Sequence, residues 1–326
     1  VKAIVVDAPG DPEVMHLGEV PDPAAGPGEV LVRVHATAVN RADTLQRRGF
    51  YPPPPGASEI IGLEVAGEIA ALGDDVTGWS PGDRVMALLA GGGYAELVAV
   101  PAGQLMPVPP GMSWTDAAAI PEVFLTAHDN LFTRGRLVAG ETVLIHGGGG
   151  GVGTAAIQLA RRADARVLVT AGSAAKIERC RELGADAGIN HREEDFVVRV
   201  RELTGGRGAD VILDVMGASY LARNLEALSP DGRLVIIGLQ GGTVTDIDLN
   251  HLLRRRLSVM ATTLRGRPVE QKAEIVRRFS DDALAGFEDG SLRPVVDRVV
   301  PLADAPAAHH AMEAGENIGK LVLRVD

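Results

Sequence analysis

Five consecutive glycines, Gly147–Gly151, stand between the apolar stretch TVLIH (142–146) and TAAIQLARRAD, whose apolar residues recur at helical spacing. Within and just after this run, Gly148, Gly150 and Gly153 are spaced GxGxxG, and a strand before with a helix after is the context in which that spacing has a mechanism. Residues without side chains permit a tight turn and let backbone N–H groups at a helix start approach a pyrophosphate. The chemistry this prepares is dinucleotide binding, and with it hydride transfer. About 20 residues farther on, at the end of the next strand, an acidic side chain would hold the ribose 2′-hydroxyl of NADH. The chain has Thr170, Ala171, Gly172 and Ser173 there, with Lys176 one turn into the next helix. No carboxylate repels a 2′-phosphate, Ser173 offers a donor and Lys176 a positive charge, so NADPH is the expected cofactor.

Other positions lack the groups that metal-assisted alcohol oxidation needs. A neutral alcohol must lose a proton before hydride leaves, and zinc lowers the pKa of that proton. The medium-chain alcohol dehydrogenases hold the metal with a Gly-His-Glu motif and an upstream cysteine. The matching places here read Gly62, Leu63, Glu64 and Val39, Asn40, Arg41, Ala42, Asp43, and the four-cysteine structural lobe is missing too. The single cysteine, Cys180, lies in the helical pattern KIERCRELG and reads as packing. His128, His146, His191, His309 and His310 have no neighbouring cysteine and no HExxH spacing, so no metal is expected. A site without a Lewis acid suits acceptors that are already electron-poor, such as quinones and conjugated carbonyls, where hydride addition gives a stabilised phenolate or enolate.

The elements that position these residues fall into two textures. Residues 1 to about 120 carry short alternating strands (VKAIVV, EVLVRVHATAV, VAGEIAAL, DRVMALL, AELVAV) separated by Gly- and Pro-rich turns. From Ser113, a plausible N-cap, the pattern turns helical on both sides of Pro121. Then TVLIH, RVLVTA, AGIN, DVILDV and RLVIIG alternate with helices, as a parallel sheet covered on both faces requires. After about Arg265 a helix from Glu270 leads to VVDRVVPL and KLVLRV, strands expected to fold back onto the first segment. The expected fold class is α/β: a β-rich domain of residues 1–121 and 266–326, and a doubly wound domain of residues 122–265. A length of 326 residues fits two domains at about 150 residues each. The net charge of −11 disfavours nucleic acid and anionic membranes as partners, and Arg254–Arg256 reads as a solvated helix end. No run approaches the length of a membrane helix and VKAIVVDAPG reads as a first strand, so the expected location is the cytoplasm.

The stretch AVNRADTLQRRGFYPPPPGAS (38–58), followed by IGLEVAG, ALLAGGGYAELVAVP and AAAIPEVFLTA, resembles the zinc-free quinone oxidoreductases of the medium-chain dehydrogenase/reductase family. With TVLIHGGGGGVGTAAIQLA, VTAGS and NIGKLVL the resemblance runs from end to end, and it is similar in particular to the tumour-suppressor-inducible subgroup. It implies a GroES-like substrate domain, a Rossmann domain, and a homodimer formed through edge strands of the Rossmann sheets. It places Asn40 and Thr126 against the nicotinamide and its ribose, and Gly150, Gly151, Val152 and Gly153 at the pyrophosphate. Gly172, Ser173 and Lys176 would hold the adenosine phosphate, while Gly238, Leu239 and Gln240 with Thr263, Leu264 and Arg265 would close over the nicotinamide end. Lys320 is placed among the cofactor contacts. His191 stands where relatives commonly have tyrosine; a protonated imidazole there would bind the 2′-phosphate more strongly and make NADPH affinity pH-sensitive.

Tyr51 is the substrate-facing polar group the resemblance points to, as proton donor or hydrogen-bond donor to a developing oxyanion. The alternative is that FYPPPPG is a rigid surface segment and water supplies the proton. Tyr94 reads as packing. The implied activity is NADPH-dependent quinone reduction, by hydride or by single electrons to semiquinone. Two other readings share the glycine loop: a 2-alkenal or enoyl-thioester reductase, and a non-catalytic NADPH-binding protein with a structural or regulatory role.

Overall fold

The computed structural model describes residues 1–325. They form two compact units, one of Val1–Leu125 with the residues from Leu264 onward, the other of Thr126–Thr263. In the first, β1 (Lys2–Val6) pairs antiparallel with β2 (Met15–Glu19). The long strand β3 (Glu29–Ala38) follows, then helix α1 (Arg41–Arg47), then β4 (Glu64–Leu72), β5 (Arg84–Leu88), β6 (Leu97–Pro101) and β7 (Leu105–Pro107). Period-two burial along β3 puts Val30, Val32, Val34 and Ala36 into the core of this unit. Helix α2 (Trp114–Ala117) is capped by the Ser113 side chain, and α3 (Pro121–His128) carries the chain out of this unit.

The second unit alternates strand and helix: β8 (Thr142–His146), α4 (Gly151–Arg162), β9 (Arg166–Ala171), α5 (Ala174–Glu182), β10 (Ala187–Asn190), α6 (Phe196–Leu203), β11 (Ala209–Asp214), α7 (Leu221–Ala227), β12 (Leu228–Ile236), α8 (Leu249–Arg255) and β13 (Ser258–Ala261). All neighbouring strands are parallel, in the order β10-β9-β8-β11-β12-β13. This is the doubly wound order that reverses direction between β8 and β11, and ligands bind outside the carboxyl ends of strands at such a reversal. The glycine run leaves the carboxyl end of β8.

The chain then returns to the first unit through α9 (Val269–Ala283), β14 (Val296–Pro301), α10 (Ala305–Ala314) and β15 (Lys320–Arg324). β15 pairs antiparallel with β3, so the sheet reads β14-β15-β3-β4-β5-β7, with β6 also on β3. The borders differ by a few residues from those expected at 121/122 and 265/266. Phe124 packs edge-on against Phe287, with ring centres 4.9 Å apart, and Arg265 bonds to Gln46, Tyr51 and Ala90, which draws 122–125 and 264–265 into the first unit.

Candidate active site

In the second unit, Gly150 is the N-cap of α4 and Gly151 its first residue, so Gly151, Val152 and Gly153 make the first turn, where N–H groups lack intrahelical partners. Gly153 is buried, and a Cβ there would stand 2.3 Å from the Gly147 carbonyl oxygen and 2.7 Å from the Gly148 Cα. Only glycine lets α4 close on the loop in this way. The loop is thus a cradle of bare backbone that fits a pyrophosphate.

Gly172 follows β9, and Ser173 caps α5 with its Oγ accepting the Lys176 N–H at 3.4 Å. The serine hydroxyl hydrogen remains available for donation. The aliphatic stem of Lys176 lies along Gly149. Over the bare Cα of Gly172 crowd two cationic or polar groups from the end of β10: a Cβ there would be 3.2 Å from His191 Nε2 and 3.3 Å from Arg192 Nε. Partial burial, then the charge of Arg192, pushes the His191 imidazole below its ordinary range. Any gain from its protonation therefore falls on the acid side of neutrality. The Arg192 guanidinium is exposed and has no hydrogen-bond partner among the described residues. Gly238, Leu239 and Gln240 form the loop after β12, with Gln240 N–H bonded to the Val215 carbonyl at 3.2 Å and Leu239 and Gln240 exposed.

In the first unit the residues around Asn40 form a buried, hydrogen-bonded cluster. Lys320 Nζ donates to the Val39 carbonyl at 2.7 Å, to Asn40 Oδ1 at 2.6 Å and to Glu64 Oε1 at 2.8 Å. Its three hydrogens are thus all committed to partners within this unit. Asn40 Nδ2 donates to the Ala38 carbonyl at 3.1 Å and to Glu64 Oε1 at 2.9 Å. Glu64 Oε2 accepts the Glu122 N–H at 2.9 Å, tying the start of α3 to the same carboxylate. Thr126, half-buried on α3, is the first residue of the second unit.

A second chain of hydrogen bonds fixes Asp43, whose Oδ2 accepts the Asn40 N–H at 2.7 Å. Arg47 can only donate, so His309 Nδ1, 3.4 Å from its Nη1, accepts, and the His309 proton is on Nε2. That Nε2 faces the Tyr94 oxygen at 3.1 Å, and the Tyr94 hydroxyl donates to Asp43 Oδ2 at 3.2 Å. Burial pushes Asp43 up to about 7 and His309 down to about 3. Tyr94, expected to be packing, is fully buried and also serves as this polar link.

Tyr51 is half-buried. Burial and then the nearby Glu122 raise its phenol, so it carries its proton at neutral pH and can donate it. Glu122 itself is pushed up to about 8, by burial and then by Glu64, and its Oε2 has no hydrogen-bond partner among the described residues. Leu264 is buried in the same unit. Cys180 is buried with its thiol pushed up to about 11, an unreactive state.

Residues 26–110 match the family model described as the alcohol dehydrogenase GroES-like domain, and residues 151–281 match that of the zinc-binding dehydrogenase. The quinone oxidoreductase of Rattus norvegicus is 33% identical over 326 residues, covering 99% of this chain and 97% of that protein. The chain belongs to the medium-chain dehydrogenase/reductase family. Among solved structures, Escherichia coli quinone oxidoreductase complexed with NADPH is 30% identical with a TM-score of 0.90, covering 99% of this chain and all of that one. A structure described as an NAD-dependent alcohol dehydrogenase is 35% identical with a TM-score of 0.89 and covers both chains fully.

On this medium-chain dehydrogenase/reductase scaffold, sequence reasoning missed Arg192 and the partnership of Glu64 with Lys320. Arg192 had a signal: it directly follows His191 at the end of the strand next to β9. Glu64 and Lys320 had one too, since each opens a strand directly before three uncharged, buried residues, and two buried charges of opposite sign call for each other.

Proposed function

We propose that this chain is a zinc-independent NADPH:quinone oxidoreductase. The observation that carries the reading is the state of Glu64, buried beside Leu63 where alcohol-oxidising relatives have histidine, and already paired with the chain's own Lys320 ammonium. A site of this kind offers no polarising metal to a neutral alcohol and suits an acceptor that takes hydride without one. Preference for the phosphorylated cofactor rests on His191 and Arg192 over Gly172, on Ser173 and Lys176 at the start of α5, and on the lack of an acid at the end of β9.

When bound, NADPH supplies the hydride. The residues of this chain do the rest. The first turn of α4 holds the pyrophosphate on backbone N–H groups, and the basic groups near Gly172 hold the 2′-phosphate. Asn40, Thr126, Leu264 and the loop Gly238–Gln240 are the residues the family resemblance offers for the nicotinamide end. Tyr51 keeps its proton and donates a hydrogen bond to the oxygen that gains charge on the acceptor. For a quinone the final proton comes from this phenol or from water.

The experiment is NADPH oxidation by the purified, chelator-treated protein with an ortho-quinone, a para-quinone, a conjugated enal and an enoyl thioester, with NADH as control. Saturable, NADPH-selective quinone turnover is expected. Turnover of only the enoyl thioester makes the chain a reductase of that class, and tight NADPH binding with no turnover makes it a binding protein.

A second copy of the chain is the partner we propose. β13 ends the parallel sheet with an unpaired edge, Val259 on it is 38% exposed, and Leu253 on the preceding α8 is 76% exposed. A dimer mass by light scattering, reduced to a monomer by Val259→Lys with Leu253→Lys, is expected.

A further inference from the structure

In the second unit a line of buried polar side chains crosses the carboxyl ends of three neighbouring strands, β9, β8 and β11. His146 ends β8, Thr170 stands opposite it on β9, Asp214 ends β11, and Asn224 on α7 reaches in to His146. His146 Nε2 is 2.7 Å from Asn224 Oδ1, and His146 Nδ1 is 3.0 Å from Thr170 Oγ1. Burial holds the imidazole neutral, its pKa pushed down to about 4, so one ring nitrogen donates and the other accepts. The Asn224 NH2 has no hydrogen-bond partner among the described residues and lies on the side of the Asp214 carboxylate. Turning that amide over would aim its oxygen at the carboxylate, so Oδ1 stays on His146 and Nε2 carries the proton. Nδ1 then accepts the Thr170 hydroxyl hydrogen. The lone pairs of Thr170 Oγ1 are left to the Gly147 N–H, 3.4 Å away, while the Thr170 carbonyl accepts the Gly148 N–H at 2.9 Å.

Gly147 is where the strand becomes the loop. Its φ is +69°, its carbonyl accepts the Gly150 N–H at 2.9 Å, and that same oxygen is the one against which Gly153 closes. The direction of the Gly147 peptide therefore decides how the first turn of α4 presents its free N–H groups. A threonine hydroxyl alone could turn either way; with its hydrogen taken by His146 it can only accept toward the loop. We propose that His146, held in one tautomer by Asn224, is a positioning residue for the glycine loop: it fixes the Thr170 hydroxyl as an acceptor for the Gly147 N–H and so presets the backbone donors that take a dinucleotide's pyrophosphate. This rests on the cofactor-binding part of the function proposed above and not on its quinone part. The rings of Phe196 and Tyr220 stand edge-on to His146, with centres 4.8 and 5.0 Å away. An apolar ring in place of the imidazole keeps that packing and loses the hydrogen bonds.

The test is the dissociation constant of NADPH, read by ligand fluorescence with no acceptor present. It compares the native chain with Thr170→Val, Thr170→Ser, His146→Phe and His146→Phe/Thr170→Val, and thermal melting checks that each folds. Adenosine 2′-monophosphate, which has no pyrophosphate, is the control ligand, titrated calorimetrically. Thr170→Val and His146→Phe are each expected to weaken NADPH about fivefold, the worth of one ordinary hydrogen bond, and to leave adenosine 2′-monophosphate binding as it was. Thr170→Ser keeps the hydroxyl and should keep the affinity. The double variant should be no weaker than the weaker of the two single ones, because His146 acts through Thr170. Turnover should show the loss in KM for NADPH with kcat unchanged. Native NADPH affinity in Thr170→Val, an equal loss for both ligands, or losses that multiply to about twenty-fivefold in the double variant overturn the proposal. If His146→Phe does not fold, Thr170→Val and Thr170→Ser decide it: equal NADPH affinities in the two overturn it. NADH shares the pyrophosphate, so the same pattern found with NADH alone removes the NADPH preference, and the pattern without quinone turnover removes the quinone reading. Either leaves this inference standing.

Discussion

Arg265 donates from Nη1 to the Tyr51 carbonyl at 3.1 Å while its guanidinium carbon sits 5.3 Å from the centre of the Tyr51 ring. One side chain holds both the backbone and the ring of Tyr51, and it is itself anchored on Ala90 and Gln46 at 2.7 and 2.6 Å. The proline-rich loop is thus pinned at the residue whose hydroxyl is of chemical interest. Tyr51→Phe keeps the ring and its cation contact and removes only the donor. We expect kcat with a quinone to fall about tenfold or more with KM for NADPH unchanged. Unchanged kcat assigns the proton to water.

Arg192 offers a free, planar pair of donors beside Gly172. Arg192→Ala is expected to weaken NADPH by about tenfold, at the lower end for a charge-assisted bond because the group is exposed, and to leave NADH binding as it was. Equal losses for both cofactors would place Arg192 away from the 2′-phosphate.

His191 is held below its ordinary range, so its charge appears only in acid. NADPH affinity should gain from this only on the acid side of the ordinary imidazole range and be insensitive to it at neutral and alkaline pH. The phosphate loses charge near pH 6 as well. The difference between the native chain and His191→Ala, titrated calorimetrically across that range, isolates the imidazole; parallel curves would remove it from the site.

Glu122 provides a test in stability. Its folded pKa, about 8, lies above the ordinary 4.5, so the folded chain holds this proton more tightly than the unfolded one. The resulting stabilisation is complete below pH 4.5 and is lost as pH rises through 8. Glu122→Gln carries no such dependence. Its melting temperature should match the native value near pH 5 and exceed it by several degrees near pH 9, a gap that differential scanning calorimetry would reveal.

Gly153→Ala puts a methyl group 2.3 Å from a backbone oxygen. The backbone must move, at a cost of about 1–3 kcal/mol, and the cradle opens. A lower melting temperature together with loss of NADPH binding is expected; binding preserved at lowered stability would separate the loop's shape from its function.

Much of the fold was legible because it follows from periodicity. β3 alternates, β8 and β11 carry the unbroken apolar runs Val143–Ile145 and Val211–Leu213, and the glycines fall where a strand must become a helix. The parts that were not legible depend on contacts between residues far apart in the chain. Asp43, Tyr94, His309 and Arg47 come from three separate segments, and nothing local to any of them announces a shared hydrogen-bond chain. Lys320 was read as touching the cofactor because its place in NIGKLVL matches the family. Its actual partners become visible only when β15 is laid beside β3.

That pairing brings Lys320 to Asn40, 280 residues away in sequence. During translation the Rossmann unit is complete once Thr263 has emerged, and units of this kind fold as they appear. The lysine that orients Asn40 is still unmade at that moment. A nascent chain can therefore have closed its glycine loop before the strand that fixes Asn40 has been made.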